Sequence, residues 1–330
     1  MKFFHNKEGY VTIVITVAIV LAIIGVGWGV TYIADKYLQP INHNPKPSSN
    51  ETSKVKIPSL EKIKSGITLK KSPEGRVDIM LLGISGEDYI SGNLADTIMI
   101  ADINTENSQA DLFSIPRDLW ISHDGQFQKI NELYRVAGGT EVPNTEMDGI
   151  IKNKMEQITG RDIHYTVIIN LEGIKQLVDI IGGVKTEEGL MNGEEALTYV
   201  RDRSRPGGDF DRMDRQQELI IAILNKLSSG EETGADGEEN VAEKLFTELS
   251  GYIATDMTLI NLLQLDLVAD EIDLNDIGMH SITPETGLLY SDYTNVAGQQ
   301  IYTLHPTAGY EDYSKIQEFI SNTLKNNEQQ

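Results

Sequence analysis

Five arginines lie within nineteen residues between Tyr199 and Gln217, in the run YVRDRSRPGGDFDRMDRQQ. A guanidinium group keeps its charge at physiological pH, and its planar fork donates paired hydrogen bonds to phosphate oxygens. The same run holds four aspartates, which could pair with these arginines locally. From spacing alone, the run fits two interpretations equally well: a site for an anion with several charges, or a salt-bridged surface.

The arginines fall into two sets on either side of the turn-forming residues Pro206-Gly-Gly208. The first set alternates along the chain, so an extended backbone would place its side chains on one face. The second set has helical spacing in the first two turns of a predicted helix, where the helix dipole favours anions. The turn would allow the two faces to converge on one ligand. The sets are Arg201, Arg203 and Arg205, and Arg212, Arg215 and Gln216.

Further charged side chains lie near the ends of predicted strands. Arg117 follows a strand in Ser114-Ile-Pro-Arg-Asp118, at the carboxyl end where α/β folds usually bind ligands. Lys129 adds a cation at the start of a predicted helix. Asp96 begins the preceding strand, so its carboxylate reaches Arg117 only if the two strands run in opposite directions. These residues favour the anion-binding interpretation.

Strand and helix patterns alternate through the part of the chain that carries these side chains. The predicted strands are Arg76–Ile84, Asp96–Ile103, Ala110–Ile115 and His164–Ile169. The predicted helices span residues 131–137, 145–159, 171–181, 210–227, 241–253, 259–267 and 313–324, with Asp209 as the N-cap of the fourth. This alternation predicts an α/β fold, specifically an α/β/α sandwich with a central mixed sheet.

The overall composition narrows the function. The net charge of −22 argues against broad nucleic-acid binding, which needs a basic surface. The absence of cysteine excludes disulfides, thiol catalysis and cysteine-based metal sites. The six histidines are scattered without metal-binding or triad spacing, so we interpret them as structural or surface residues.

An uncharged apolar run, Val11–Ala34, is long enough to span a bilayer as a helix. It predicts an uncleaved signal-anchor, and Lys2 and Lys7 favour a cytoplasmic N-terminus with the rest of the chain outside the cell membrane. Gly25 and Gly29 form a GxxxG pair that could bring two such helices together as a homodimer, with ordinary membrane-helix glycine as the alternative.

The predicted domain organisation has three parts. Residues 1–36 form a short cytoplasmic tail and the transmembrane anchor, and residues 37–70 form an extracytoplasmic linker rich in Pro, Asn, Ser and Lys. Residues 71–330 form the catalytic domain, which contains an acidic surface loop at residues 228–240. The chemistry is therefore expected at the outer face of a membrane.

Several motifs occur together in a fixed order and resemble the LytR-CpsA-Psr family over residues 75–270. Members of that family are phosphotransferases on the outer face of Gram-positive-type membranes. They move a glycopolymer, such as teichoic acid or capsule, from a polyprenyl (pyro)phosphate carrier to peptidoglycan, usually to the C6 hydroxyl of N-acetylmuramic acid. The motifs are Asp96-Thr-Ile-Met99, Ser114-Ile-Pro-Arg-Asp118, Lys129-Ile-Asn131, Leu177-Val-Asp-Ile-Ile-Gly-Gly-Val184, and Asn192–Arg203 with Asp209–Gln217.

The resemblance also implies roles for individual residues. The pyrophosphate would be held by Arg117, Arg201, Arg203, Arg212 and Gln216. Asp96 would help to bind Mg²⁺, Lys129 would line the head-group region, and the polyprenyl tail would enter an apolar tunnel between sheet and helices. Asp96, Arg117 and Arg203 are thus the predicted catalytic residues, although the sequence does not separate a metal ligand from a general base at Asp96.

Two positions depart from the family pattern. Ser85 stands where the family usually has an aspartate, and Leu94 stands where it usually has an arginine. Glu87 or Asp88 could replace the missing carboxylate. The departures leave an alternative open, namely a catalytically impaired member that binds polyprenyl-linked glycans or regulates envelope assembly. A hydrolase acting on the same lipid diphosphate is a third interpretation.

Overall fold

The computed structural model describes residues 69–85, 93–140, 149–202, 204, 206, 208–228, 248–249, 251–258, 261, 264–265, 268 and 272–327. The predicted membrane segment, nearly all of the linker and residues 229–240 of the acidic loop lie outside these residues. Within the described part of the chain, no helix is both long and apolar enough to cross a bilayer.

The strands and helices of the described residues follow one another in this order. The strands are β1 (Arg76–Ile84), β2 (Ala95–Asn104), β3 (Gln109–Ser114), β4 (Trp120–His123), β5 (Gln126–Lys129), β6 (Tyr165–Asn170), β7 (Val184–Thr186), β8 (Gly189–Met191), β9 (Ile253–Thr255), β10 (Gly278–Ser281), β11 (Leu289–Val296) and β12 (Gln299–Pro306). The helices are α1 (Leu133–Val136), α2 (Gly149–Thr159), α3 (Leu171–Ile180), α4 (Gly193–Arg201), α5 (Gly208–Ser228) and α6 (Ser314–Asn327). The four predicted strands are confirmed to within two residues at each end.

Six of these strands form one mixed sheet in the order β10-β3-β2-β1-β6-β9. β2 is antiparallel to both β1 and β3, whereas β6 is parallel to β1 and β10 is parallel to β3. The pairs β4–β5, β7–β8 and β11–β12 form separate two-stranded hairpins. The prediction of a central mixed sheet is confirmed.

Helices cover both faces of the sheet. Alternate residues of β1 point to opposite faces: Val77 and Ile79 pack on one side, Met80 and Leu82 on the other. Helices α3, α4 and α5 supply the first layer, and α2 and α6 supply the second. Because both faces are buried, the middle of each central strand is a continuous apolar run, such as Ile79–Leu82 in β1 and Ile98–Ala101 in β2.

A charged network is buried inside the sheet, at the end remote from Asp96. Asp78 of β1 and Asp102 of β2 are register partners, and both are almost fully buried. Arg161 donates to both carboxylates, with Nη2 at 2.8 Å from Asp78 Oδ2 and 2.8 Å from Asp102 Oδ2. Arg76 donates through Nε to Asp102 Oδ1 at 2.8 Å. Two arginines therefore hold two facing carboxylates that would otherwise repel each other.

This network predicts that the protein becomes less stable as the pH rises. Burial, followed by the neighbouring Asp78 carboxylate, raises the pKa of Asp102 from 3.8 to about 8. A proton bound in the folded state but released in the unfolded state makes the free energy of unfolding fall between about pH 4 and pH 8. Urea unfolding measured across that range checks this, and Asp102→Asn should flatten the decline. An equally steep decline in Asp102→Asn would assign the effect to another group.

Candidate active site

Strand direction brings the predicted anion-binding residues together. Because β2 runs antiparallel to β3, the start of β2 lies beside the end of β3. Asp96 is the second residue of β2, and Arg117 follows the end of β3 by three residues. The main-chain N–H of Asn131 donates to the carbonyl of Arg117 at 3.3 Å and fixes the loop after β3. The condition set by the sequence, that the two strands run in opposite directions, is confirmed.

Four charged side chains interlock at this edge of the sheet. The Arg117 guanidinium forms an ion pair with Asp96 through Nη1, and its Nε lies 3.2 Å from Asp209 Oδ1. Arg212 of α5 donates through Nε to Asp209 Oδ1 at 3.1 Å and through Nη1 to the main-chain oxygen of Asp96 at 2.9 Å. We call Asp96, Arg117, Asp209 and Arg212 the arginine–aspartate cluster. It joins β2, the loop after β3 and the first turn of α5.

The cluster holds its two guanidinium groups in a largely desolvated position. Arg212 is 2% exposed and Arg117 is 15% exposed. Burial opposes the charge of Arg117, but the Asp96, Asp209 and Asp118 carboxylates outweigh it, and the pKa of Arg117 is raised. Two arginines and two aspartates balance each other, so the local-pairing interpretation of the arginine-rich run is partly correct. A bound phosphate would replace these carboxylates as the acceptor of hydrogen bonds from the two guanidinium groups, which are already held in position.

Lys129 reaches the same region by way of the β4–β5 hairpin. The hairpin turns at Asp124-Gly125, where both residues have positive φ angles of 49° and 74°. Such a turn suits the twist of two antiparallel strands. Lys129 pairs in register with Trp120, so its side chain returns beside Asp118. The Lys129 Nζ lies 2.6 Å from Asp118 Oδ1 and adds a third cation next to the arginine–aspartate cluster.

The remaining arginines of the run differ in position. Arg215 is nearly buried, donates to the main-chain oxygens of Tyr199 and Asp202, and forms an ion pair with Asp211. It satisfies carbonyls at the carboxyl end of α4, where a cation is favourable. Arg212 and Arg215, which were predicted to share one face, therefore have different contacts. Arg212 belongs to the arginine–aspartate cluster, and Arg215 connects α5 to α4.

Arg201 is the last residue of α4 and is exposed. The condition for the first set, an extended backbone, is not met at this position, because the capped helix that begins after Asn192 continues through Arg201. Arg203 and Arg205 lie outside the described residues, as do the alternative carboxylates Glu87 and Asp88. Their predicted roles stay predictions.

Asp209 was also placed incorrectly by the sequence. It was predicted as the N-cap of α5, but the helix begins at Gly208 and Asp209 lies in its first turn. From there its carboxylate contacts Arg117 and Arg212 instead of capping the helix. An N-cap aspartate and an aspartate in the first turn differ by only one position along the chain. Sequence patterns do not locate a helix end that accurately.

Gln216 marks the boundary between the arginine–aspartate cluster and an apolar cavity. It is buried one helical turn after Arg212, and Thr97, the residue after Asp96, lies on the same cavity wall. The cavity has a volume of about 110 Å³ and is enclosed by strands β1, β2, β6 and β9 and helices α3, α4 and α5. Thirteen of its lining residues are apolar or glycine: Leu81, Leu82, Gly83, Val167, Ile169, Leu171, Ile174, Leu177, Val200, Leu219, Ile220, Ile223 and Ile253.

Gln217, the next residue of α5, holds the helix to the sheet. Its amide nitrogen donates to Ser114 Oγ at 2.8 Å and to the carbonyl oxygen of His280 at 3.2 Å. Ser114 is the last residue of β3, and His280 lies in β10. The contact sets α5 against the same strand end from which Arg117 emerges.

Comparison with known proteins identifies the family. The LytR_cpsA_psr family pattern matches residues 42–308. The chain belongs to this family. It is 25% identical over 277 residues to an Enterococcus faecalis protein named polyisoprenyl-teichoic acid–peptidoglycan teichoic acid transferase TagU, covering 77% of this chain and 80% of that protein. It is also 31% identical over 175 residues to the Bacillus subtilis protein of the same name, covering 48% of this chain and 53% of that protein.

Solved structures support the fold. The Lin1025 protein from Listeria innocua superimposes with a TM-score of 0.55 at 26% identity, covering 76% of this chain and 98% of that one. B. subtilis TagV superimposes with a TM-score of 0.56 at 22% identity, covering 77% of this chain and 99% of that one. The sandwich described above is therefore the fold of this LytR_cpsA_psr family member and its structural neighbours.

Ser85 and Leu94, the two positions predicted to depart from the family pattern, lie side by side. The main-chain N–H of Ser85 donates to the carbonyl of Leu94 at 3.0 Å, and its hydroxyl donates to the same oxygen at 3.4 Å. Ser85 is fully buried. These contacts close the gap between the end of β1 and the start of β2, so the substituted pair is accommodated without an unpaired buried charge.

Three side chains near the cluster were missed as site residues: Asp118, Asp209 and Tyr302. Tyr302 comes from the β11–β12 hairpin, and burial, followed by the Asp118 carboxylate, raises the pKa of its hydroxyl. The Asp-Gly turn of β4–β5 is a short-range hairpin signal that could have placed Lys129 beside Asp118. No local sequence pattern could have predicted that Tyr302 lies near Asp118 and Asp209, which are more than ninety positions earlier in the chain.

Metal binding was predicted at Asp96. Within the described residues, no group of three or more His, Asp or Glu side chains is arranged to hold a metal ion by itself. Mg²⁺, however, usually keeps several waters and binds one or two carboxylates together with substrate phosphates. Asp96 and Asp209, which contact the same guanidinium of Arg117, provide two such carboxylates. The donors are thus compatible with a magnesium ion that arrives with a phosphate-bearing substrate.

Proposed function

We propose that this protein is a membrane-anchored extracytoplasmic phosphotransferase that moves a glycopolymer from a polyprenyl (pyro)phosphate carrier to peptidoglycan. The observation that carries the proposal is that a cationic cluster and an apolar cavity adjoin each other along one face of α5. Arg212 belongs to the cluster, and Gln216, one helical turn later on the same face, lines the cavity. A lipid diphosphate has the same division into a charged head and an apolar tail. The E. faecalis and B. subtilis relatives, named as teichoic acid transferases, support the proposal.

In the proposed reaction, Arg117 and Arg212 hold the diphosphate oxygens, and their fixed charges stabilise the negative charge of the transition state. The acceptor hydroxyl oxygen bonds to the phosphorus that carries the glycopolymer. The bond from that phosphorus to the bridging oxygen breaks, and polyprenyl phosphate leaves with the bridging oxygen. The hydroxyl proton passes to a carboxylate, for which Asp96 is the candidate.

Asp96 and Asp209 are also the proposed magnesium ligands. When bound, Mg²⁺ would neutralise charge on the diphosphate oxygens beside the two arginines. Lys129 would neutralise further charge at the head group, together with Arg201 and Arg203. Gln216 would donate at the entrance of the cavity, where the head group meets the tail.

The proposed location is a single-pass position in the cell membrane, with the N-terminus in the cytoplasm. The family match supports a substrate that is itself anchored in a membrane, which the domain could reach from a tether of residues 37–70. Homodimer formation through Gly25 and Gly29 stays a prediction. Cross-linking of the full chain in membranes would test it.

The activity can be tested with the full chain, a polyprenyl-diphosphate-linked glycan and peptidoglycan. We expect release of polyprenyl phosphate that requires both the acceptor and Mg²⁺ and that stops on chelation. Release without acceptor would instead identify a hydrolase. Tight lipid binding with no turnover under any divalent metal would favour the alternative function, a non-catalytic glycan-binding or regulatory member. That alternative rests on Ser85 and Leu94, where the resemblance predicted a carboxylate and an arginine.

Filling the cavity should weaken binding of the lipid-linked donor. Ile220 lies on α5, lines the cavity and is partly buried, so Ile220→Trp would place an indole where the tail is proposed to lie. We expect the KM for the donor to rise about tenfold, equivalent to about 1.4 kcal/mol of binding free energy, because the indole would occupy part of the space proposed for the tail. The matched control is Ile150→Trp on α2, a partly buried residue of the opposite layer. An unchanged donor KM in Ile220→Trp would exclude the cavity as the binding site of the lipid tail.

A further inference from the structure

The β11–β12 hairpin stands beside the arginine–aspartate cluster. At its base the main-chain N–H of Leu304 donates to the carbonyl of Asp118 at 3.0 Å, and the Leu304 side chain is buried in the core. At its tip the chain turns through Ala297-Gly298, both with positive φ angles. The hairpin is therefore fixed at the site and exposed further out.

One face of this hairpin carries a pair of tyrosines. Tyr293 and Tyr302 are cross-strand partners, and their rings meet edge to face with centroids 5.9 Å apart. Tyr302 is half-buried, and burial, followed by the Asp118 carboxylate, raises the pKa of its hydroxyl. Tyr293 is 66% exposed. The two rings thus form a continuous aromatic strip that leads from the arginine–aspartate cluster out to solvent.

The side chains around this aromatic strip are polar, and almost none of them is charged. Residues 289–306 contain no lysine or arginine, and Asp292 is their single acidic residue. Ser291, Asn295 and Gln300 share the face of the two tyrosines, because they alternate with them along the paired strands. Without basic side chains, this face has no electrostatic attraction for an anionic lipid surface or for a polyanionic polymer. Exposed aromatic rings among neutral hydrogen-bonding groups suit an uncharged ligand with both apolar and polar surfaces.

We propose that the face of the β11–β12 hairpin formed by Tyr293 and Tyr302 binds the neutral N-acetylhexosamine chain of the acceptor. The flat C–H face of a sugar ring packs on a tyrosine ring, while its hydroxyl and acetamide groups hydrogen-bond to the neighbouring Ser, Asn and Gln side chains. The strip would direct an acceptor hydroxyl toward Asp96 and Arg117. This inference rests on the proposed function for the identity of the acceptor, but the binding itself is independent of turnover.

Titration of the full chain in detergent with chitohexaose, a soluble neutral N-acetylglucosamine oligomer, tests the proposal. We expect saturable binding, weakened about tenfold in Tyr293→Ala and largely kept in Tyr293→Phe, which retains the ring. The matched control is Tyr290→Ala, because Tyr290 is an exposed tyrosine on the opposite face of the same hairpin, stacked on His305. Thermal unfolding of each variant confirms that the hairpin is intact.

The possible results separate this inference from the proposed function. Absence of saturable binding in the wild type, or equal binding in Tyr293→Ala, overturns the inference. Loss of vesicle binding in Tyr293→Ala with glycan binding unchanged overturns it in favour of a membrane contact. If glycan binding depends on Tyr293 but no transfer occurs, the subsite stands and the transferase proposal fails. If transfer occurs and Tyr293→Ala leaves the acceptor KM unchanged, the transferase stands and the subsite fails.

Discussion

Replacing Arg117 with alanine is expected to lower kcat/KM for glycopolymer transfer by about 10²- to 10³-fold, the effect of removing one preorganised donor from a developing anion. The Arg117 guanidinium is held by carboxylates from both β2 and α5. A neighbouring side chain therefore cannot move into its position in the Arg117→Ala variant. Arg117→Lys should recover only part of the activity, because an ammonium keeps the charge but loses the planar fork. The measurement is release of polyprenyl phosphate at varied donor concentration.

The control for this experiment is Arg135→Ala. Arg135 is 53% exposed and pairs with Glu132 on the surface, so its removal changes the net charge equally without touching the site. Because Arg212 still pairs with Asp209 in the Arg117 variant, the fold should be kept, and thermal unfolding of both variants verifies this. Full transfer activity in a folded Arg117→Ala protein would exclude the arginine–aspartate cluster as the phosphate site.

Replacing Arg161 with alanine is expected to have the largest effect on stability, a loss of about 3–5 kcal/mol in the free energy of unfolding. Arg161 bonds both Asp78 and Asp102, which face each other across β1 and β2. Without it, two buried carboxylates share the single cation Arg76. Urea denaturation at about pH 9, above the pKa of about 8 for Asp102, measures the change with both carboxylates ionised. Arg135→Ala should change stability by less than about 1 kcal/mol because exposed ion pairs contribute little.

A double variant distinguishes charge from packing at this position. Asp102→Asn removes one of the two facing charges, so Arg161→Ala combined with Asp102→Asn should be more stable than Arg161→Ala alone. The difference from additivity measures the coupling between the two side chains. Strict additivity would mean that Arg161 stabilises the sheet by packing of its side chain and not by neutralising Asp102.

The strands were predictable because their signal is local. β1 and β2 are buried on both faces, so each has a continuous apolar centre, Ile79–Leu82 in β1 and Ile98–Ala101 in β2, which is a local strand signal. The grouping of the candidate site residues Arg117, Lys129 and Arg212 was also predictable, since cations at strand ends and in a first helical turn gather at one edge of an α/β sheet. The family resemblance, carried by ordered motifs, was confirmed by the match over residues 42–308.

The sequence could not predict which contacts each arginine of the arginine-rich run makes. Arg212 and Arg215 have the same residue type and nearly the same local sequence, yet one enters the arginine–aspartate cluster and the other satisfies carbonyls of α4. What differs is which element faces each side of α5. Tyr302 likewise reaches the site because β12 packs beside the loop that follows β3, a contact between distant parts of the chain.

By itself, the sequence determined four strands of the central sheet, the charge chemistry and the family, because each depends on residue type and on spacing within a few turns or a few strand residues. Only the tertiary structure decided that Asp209 joins Arg117 and that an apolar cavity lies beside Gln216. These are consequences of strand order and helix docking. They are set by the burial of whole faces against one another, which no short segment of the chain records.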